Sequence, residues 1–184
     1  MEATNILIDE HRVIERVLVV LESAASRLGS DQMVRPGFFI DAAEFIKGFA
    51  DGCHHKKEEG VLFPAMEAAG VPRAGGPIGA MLADHEAGRV FTRNMRAAAE
   101  RLASGDKLAA VEVERNALDY VRLLRQHIMK ENMVLFPMAD HVIPTEKQAE
   151  LTEAFEHIEH EETGEGVHEK YLAMAEALER EAAK

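Results

Sequence analysis

The sequence predicts an all-α protein: an antiparallel up-and-down four-helix bundle with an additional C-terminal helical segment. Three observations carry that expectation. Aromatic residues make up 5% of the 184 and Trp is absent, while Ala, Leu, Glu and Met, which all favour helix, are abundant. Helix breakers cluster at intervals and leave long uninterrupted stretches between short connections. One string, "HHKKEEGVLFP" at 54–64, returns 73 residues later as "HIMKENMVLFP" at 127–137.

The elements follow in order. "LGSDQMVRPG" (28–37) separates a first helix, about 4–28, from a second, about 37–63. "AAGVPRAGGP" (68–77) precedes a third, about 77–104, and "ASGD" (103–106) a fourth, about 106–136. "VIPTEK" (142–147) starts a fifth, about 145–161, with Thr145 and Gln148 spaced as a capping box. "TGEG" (163–166) is predicted to interrupt it before a last segment near the C-terminus. Pro64 and Pro137 are predicted to end or kink their helices at the preceding Phe. No linker divides the chain, so one domain over 1–184 is expected: a bundle at about 4–141 and a C-terminal helical extension at about 145–183.

The repeated string selects chemistry. Seven of its eleven positions are identical, among them His54/His127, Lys57/Lys130 and Glu58/Glu131. His127 and Glu131 stand at i, i+4, so they share a helix face, and Tyr120, Leu124 and Leu135 share it too. His54 and Glu58 take the same place on the second helix. His85 lies on one face with Ile78 and Met81, and His11 with Leu7, Ile14 and Leu18. Four helices therefore each turn a histidine inwards, and two add a carboxylate one turn later. An unpartnered carboxylate in a core is costly. Isolated His–Glu hydrogen bonds could compensate one helix. A metal centre accounts for all four together, since imidazole and carboxylate suit iron, zinc and manganese. The HEXXH zinc-protease pattern and the two-copy Glu-x-x-His pairing of ferritin-like sites are both absent. His55 and Glu59 do not recur and project away from the apolar face; they are expected beside the site or at the surface. Phe63 and Phe136 are expected to cover the end of the pocket.

With "DEH" (9–11) and "ADHEAGR" (83–89) added to the two His-x-x-x-Glu-x-x-x-Leu-Phe-Pro strings, the chain resembles the hemerythrin-like, or HHE cation-binding, domains. That resemblance implies a four-helix bundle holding two non-haem iron ions with an oxo or hydroxo bridge. It implies His11, His54, His85 and His127 as terminal ligands, and Glu58 and Glu131 as bridging carboxylates.

One position departs from the family's oxygen carriers, which place a second histidine one turn after that of the third helix. Here Arg89 stands there, and a guanidinium stays protonated and does not ligate iron. One iron is then expected to be a histidine short. About twelve coordination positions surround two roughly six-coordinate ions. The six residues and a bridging oxygen leave about two of them open, for which Glu15, Glu159 and His168 are the candidates. Arg89 itself is expected to act on the chemistry by stabilising anionic adducts, or to lie in an ion pair with Glu15 or Glu22.

Composition bounds the rest. A net charge of −12 argues against nucleic acid and anionic membranes as partners. The single cysteine, Cys53, excludes an internal disulfide and reads as a small core residue. There is no cationic, apolar leader and no apolar run of about 18 residues, so a cytoplasmic protein is expected. The expected partner is a small diatomic molecule or peroxide: oxygen, hydrogen peroxide or nitric oxide, bound or reduced. A non-enzymatic iron store or donor and a redox sensor are the alternatives.

Overall fold

The computed structural model describes residues 1–28, 34–164 and 166–183, apart from the side chains of Glu162 and Thr163. Part of the connection expected at 28–37 lies outside these residues. Among the described residues there are six helices and no strand. Helix α1 is Glu2–Arg27. Helix α2 is composite: Pro36–Phe45 is α-helical, Ile46–His55 and Glu58–Leu62 are π-helical, and Phe63–Ala68 returns to α. Helix α3 is Pro77–Ala103. Helix α4 joins Ala109–Lys130, a π turn at Glu131–Leu135 and Phe136–Val142. Helix α5 runs Gln148–His157 and continues as π helix over Ile158–Gly164, and α6 is Val167–Ala182. Gly164 and Gly166 both take positive φ, the conformation that separates α5 from α6.

Helices α1 to α4 form the bundle: α3 packs on α2 and α4, and α4 packs on α1. Helices α5 and α6 lie against α1, and α6 also covers α2. Gly48 admits that cover. A methyl group there would stand 1.8 Å from the Tyr171 hydroxyl of α6, so any larger residue would have to displace the Tyr171 ring.

One expectation is narrowed and one fails. Of the two outcomes expected at the prolines, neither proline ends its helix. A π turn precedes each one, and the Phe63 and Phe136 N–H groups reach back five residues to the Glu58 and Glu131 carbonyls. The wider turn accommodates the proline ring and its missing donor, so the helix continues. Thr145 forms no side-chain cap; Pro144 precedes a single 3₁₀ turn instead.

The core has two apolar parts. One gathers Ile14, Leu18, Phe39, Phe49, Met95 and Leu124. The other gathers Leu7, Leu62, Phe63, Ile78, Leu135 and Phe136. Along each helix the histidines and glutamates fall between these two sets, so the chemistry forms one buried polar layer across the bundle. Apolar packing on both sides holds that layer; deleting one buried ring costs on the order of 3–5 kcal/mol.

Candidate metal centre

Two groups of potential ligands meet in the polar layer. His11, His54, Glu58 and Glu131 form one; His55, His85, His127 and Glu58 form the other. Every member is buried, none more than 3% exposed, and Glu58 and Glu131 are completely covered. Glu58 lies between the groups, with Oε1 3.5 Å from His54 Nε2 and Oε2 3.4 Å from His85 Nε2. Glu131 Oε2 is 3.2 Å from His11 Nε2 and 3.1 Å from His127 Nε2. The Nε2 atoms of His85 and His127 approach to 3.1 Å.

The outward ring nitrogens are held from behind. His54 Nδ1 donates to Glu10 (2.9 Å), His11 Nδ1 to Asn132 (2.9 Å), His85 Nδ1 to Glu59 (2.7 Å) and His55 Nδ1 to Asp51 (2.9 Å). His127 Nδ1 faces Asp84 at a longer 3.5 Å. A donated Nδ1 proton fixes the tautomer and leaves Nε2 with its lone pair facing inwards, as a metal ligand requires. Two lysines anchor the supporting carboxylates. Lys57 Nζ donates to Glu10 (2.5 Å) and Glu159 (2.7 Å), and Lys130 donates to Asp84. This explains why Lys recurs in both strings. Phe63 stacks on His85 and Phe136 on His11, closing the pocket as expected.

The fit to a metal rests on what is left unpaired. All four oxygens of Glu58 and Glu131, and Nε2 of His11 and His54, are buried without a hydrogen-bond partner. Leaving so many polar atoms unsatisfied in a core is expensive, and metal ligation satisfies them together. The electrostatics show the same strain. Burial, reinforced by the neighbouring Glu131, pushes the Glu58 carboxyl well above the usual carboxylate range. Burial also acts to raise Glu131, but His127 and His11 outweigh it and hold it low. Burial and the nearby His11 lower His54 to about 4, against the pull of Glu10. Burial and four neighbouring cationic or imidazole groups, His85, His54, His127 and Arg89, depress His55 well below its ordinary value. His127 goes the other way, to about 9, because Glu131 and Asp84 overcome its burial.

The structure brings His11, His54, Glu58, His85, His127 and Glu131 together. It corrects four other expectations. His55 does not turn away: it is buried, stacks on His85 at 3.8 Å between ring centres, and joins the second group. That group therefore has three histidines and is not short of one. Glu15 is exposed and belongs to neither group. His168 is about a quarter exposed and meets Glu159 outside the centre, in a separate cluster with Glu10 and Cys53. The Lys57 ammonium already bridges the carboxylates of that cluster. Arg89 does not face the ligand groups. It donates to Glu59 and Glu86 (2.6 Å each) and lies 3.5 Å from Asp51, rather than pairing with Glu15 or Glu22. Glu22 pairs with Arg125. Arg89 thus ties together the carboxylates behind His85 and His55.

A buried layer of imidazole and carboxylate, supported from behind and left unsatisfied in front, defines a metal-binding helical bundle. The Hemerythrin HHE cation binding domain matches residues 2–139. The chain belongs to the hemerythrin family. Uncharacterized proteins of Mycobacterium tuberculosis and Mycobacterium bovis are 28% identical to it over 86% of this chain and 62% of their own length. The chain thus spans less than two thirds of these relatives. No solved structure matches it significantly. No helix among the described residues is long and apolar enough to cross a membrane.

Proposed function

We propose that this chain is a non-haem di-iron protein that binds or reduces a small oxidant such as oxygen, hydrogen peroxide or nitric oxide. The observation that carries this reading is the shared, unsatisfied Glu58 between two ligand groups, which suits two ions held side by side. His11, His54 and Glu131 would hold one ion, His55, His85 and His127 the other, and Glu131 also reaches towards the second. Iron bound there supplies an open position for a small ligand and, as a pair, two electrons.

The residues around the centre restrict what reaches it. Phe63 and Phe136 close one side and apolar side chains fill both ends, so a diatomic molecule or peroxide fits and a larger substrate does not. The same burial weighs against an iron donor, because release would require the bundle to open. Arg89 gives no reason to prefer redox turnover over reversible binding, since its charge is spent on Glu59, Glu86 and Asp51.

Metal analysis of the purified protein, with optical spectra before and after reduction, tests the reading directly. About two irons per chain and a reducible visible band are expected; one tightly bound zinc overturns it. Aerobic titration then separates the activities. Catalytic loss of peroxide or nitric oxide supports an enzyme, a reversible spectral change supports a carrier or sensor, and stoichiometric iron release to a chelator supports a donor.

A further inference from the structure

A second concave site lies between α2 and α3. It encloses about 370 Å³ and is lined by Ala43, Lys47 and Asp51 from α2 and by Arg89, Thr92, Arg93 and Arg96 from α3. The register makes this one built face. Ala43, Lys47 and Asp51 are spaced i, i+4, i+8, and Arg89, Arg93 and Arg96 are spaced i, i+4, i+7. Four cations therefore converge on one cleft in a chain with 33 acidic residues against 21 Lys and Arg.

Their pairing is uneven. Arg89 is engaged with Glu59, Glu86 and Asp51, and Arg96 with Glu44 and Glu100. Lys47 and Arg93 are exposed and have no ion pair among the described residues, although carboxylates are plentiful and most arginines have one. Two cations without a direct ion pair thus stand over a cleft whose walls include a methyl group, a threonine and alkyl stems, with Arg93 in electrostatic reach of Asp51. At its base the Asp51 carboxylate accepts from His55 and keeps acceptor capacity.

We propose that this cleft binds a small oxyanion, an inorganic phosphate or a short organic dicarboxylate, held by Arg93 and Lys47 with Arg89 beside it. Charge-assisted hydrogen bonds from guanidinium and ammonium groups are the standard means of holding such a group. A hydroxyl on the anion can donate to Asp51, which favours monohydrogen phosphate or a hydroxy acid over a bare anion. An acidic protein surface fits less well. Glu44, Glu86 and Glu100, paired with Arg96 and Arg89, add negative charge beside the cleft that would repel it. The volume sits at the small end of ordinary ligand sites, which start at about 300 Å³.

Titration calorimetry on the full, metal-loaded chain at constant ionic strength tests this, with inorganic phosphate, malate and chloride in separate arms. Saturable binding of phosphate or malate, with Kd at or below about 1 mM, is expected, and the stronger of the two identifies the source. Arg93→Gln and Lys47→Gln should each weaken it about tenfold, the effect of losing one charge-assisted contact. Both side chains are exposed, so an unchanged melting temperature will show that the fold is intact. Arg12→Gln, on the surface of α1, should leave binding as it was. Phosphate and malate binding no better than chloride, or binding equally well to both cleft variants, overturns the proposal. Because the readout is anion binding, it stands or falls separately from iron content.

Discussion

The bundle is two versions of one half. In the first half, α1 and α2 carry Glu10, His11, His54, Lys57, Glu58 and Glu59. In the second, α3 and α4 carry Asp84, His85, His127, Lys130, Glu131 and Asn132 in the same places. The support is also duplicated. Within each half the residue before the first histidine faces the second: Glu10 meets His54, and Asp84 meets His127. Across the halves, Asn132 holds His11 and Glu59 holds His85. Phe136 stacks on His11 and Phe63 on His85 in the same crossed pattern. The halves differ where it matters for chemistry. His55 and Asp51 in the first answer to Ile128 and Leu124 in the second, and Glu15 answers to Arg89. Duplication builds the cage; the departures make its two sides unequal.

The largest effect should come from the shared elements. Glu58→Ala and Glu131→Ala should each abolish most metal binding, measured as metal per chain after dialysis, because both carboxylates reach both sides. Wild-type content in either variant would break the equivalence of the halves. His55→Ile copies the second half onto the first. It should leave one site near full affinity and weaken the other by about 100-fold or more, the scale of a lost ligand or its support. Stoichiometry at limiting metal should then fall towards one, and two equally tight ions would remove His55 from the centre.

Metal uptake should also release protons. Without metal at pH 7, His127, at about 9, carries a charge, while His54, at about 4, is already neutral; burial and the neighbouring Glu131 favour the protonated form of Glu58. Ligation requires an ionised Glu58 and a neutral His127, so the His127 proton, and any proton held by Glu58, should be released. The sign follows: affinity rises with pH through neutrality and levels off above about 9. A pH-stat titration reads this, and affinity independent of pH between 6 and 8 would count against it. The smallest effect belongs to Arg89→Gln. The side chain is a quarter exposed, so solvent screens its pairs, and a loss of about 1 kcal/mol in stability with unchanged metal content is expected. A lost spectrum at intact stability would give Arg89 a direct part in the chemistry.

The sequence made the bundle and six of the seven candidate ligands legible for a definite reason. Inward histidines on apolar faces conflict with the cost of burial, and the second copy picks out which ones recur. His55 escaped because recurrence was sought as identity. Its counterpart Ile128 is buried, and an apolar residue at the matching place already says that the position faces inwards. His55 also stands three residues before Glu58, on its neighbouring helix face, and four after Asp51, which accepts its proton. Both spacings were visible. Glu15 misled for the opposite reason: its i+4 relation to His11 copies the ligand spacing, but the face has turned to solvent there. The π turns before Pro64 and Pro137 were not legible, since no local signal separates a widened turn from a broken helix. The supporting contacts across the halves depend on tertiary placement that spacing along one helix does not contain.

The crossed support has a consequence for assembly. Neither half contains a complete environment for its own first histidine; each borrows an amide or carboxylate and a phenyl ring from the other. A half expressed alone would therefore present ligands without the groups that aim them. Two chains that exchanged halves across the connection at 69–76, however, would restore every crossed contact twice and build two full centres. The geometry that makes a single chain indivisible is the same geometry that would let a swapped dimer form with nothing lost at the metal.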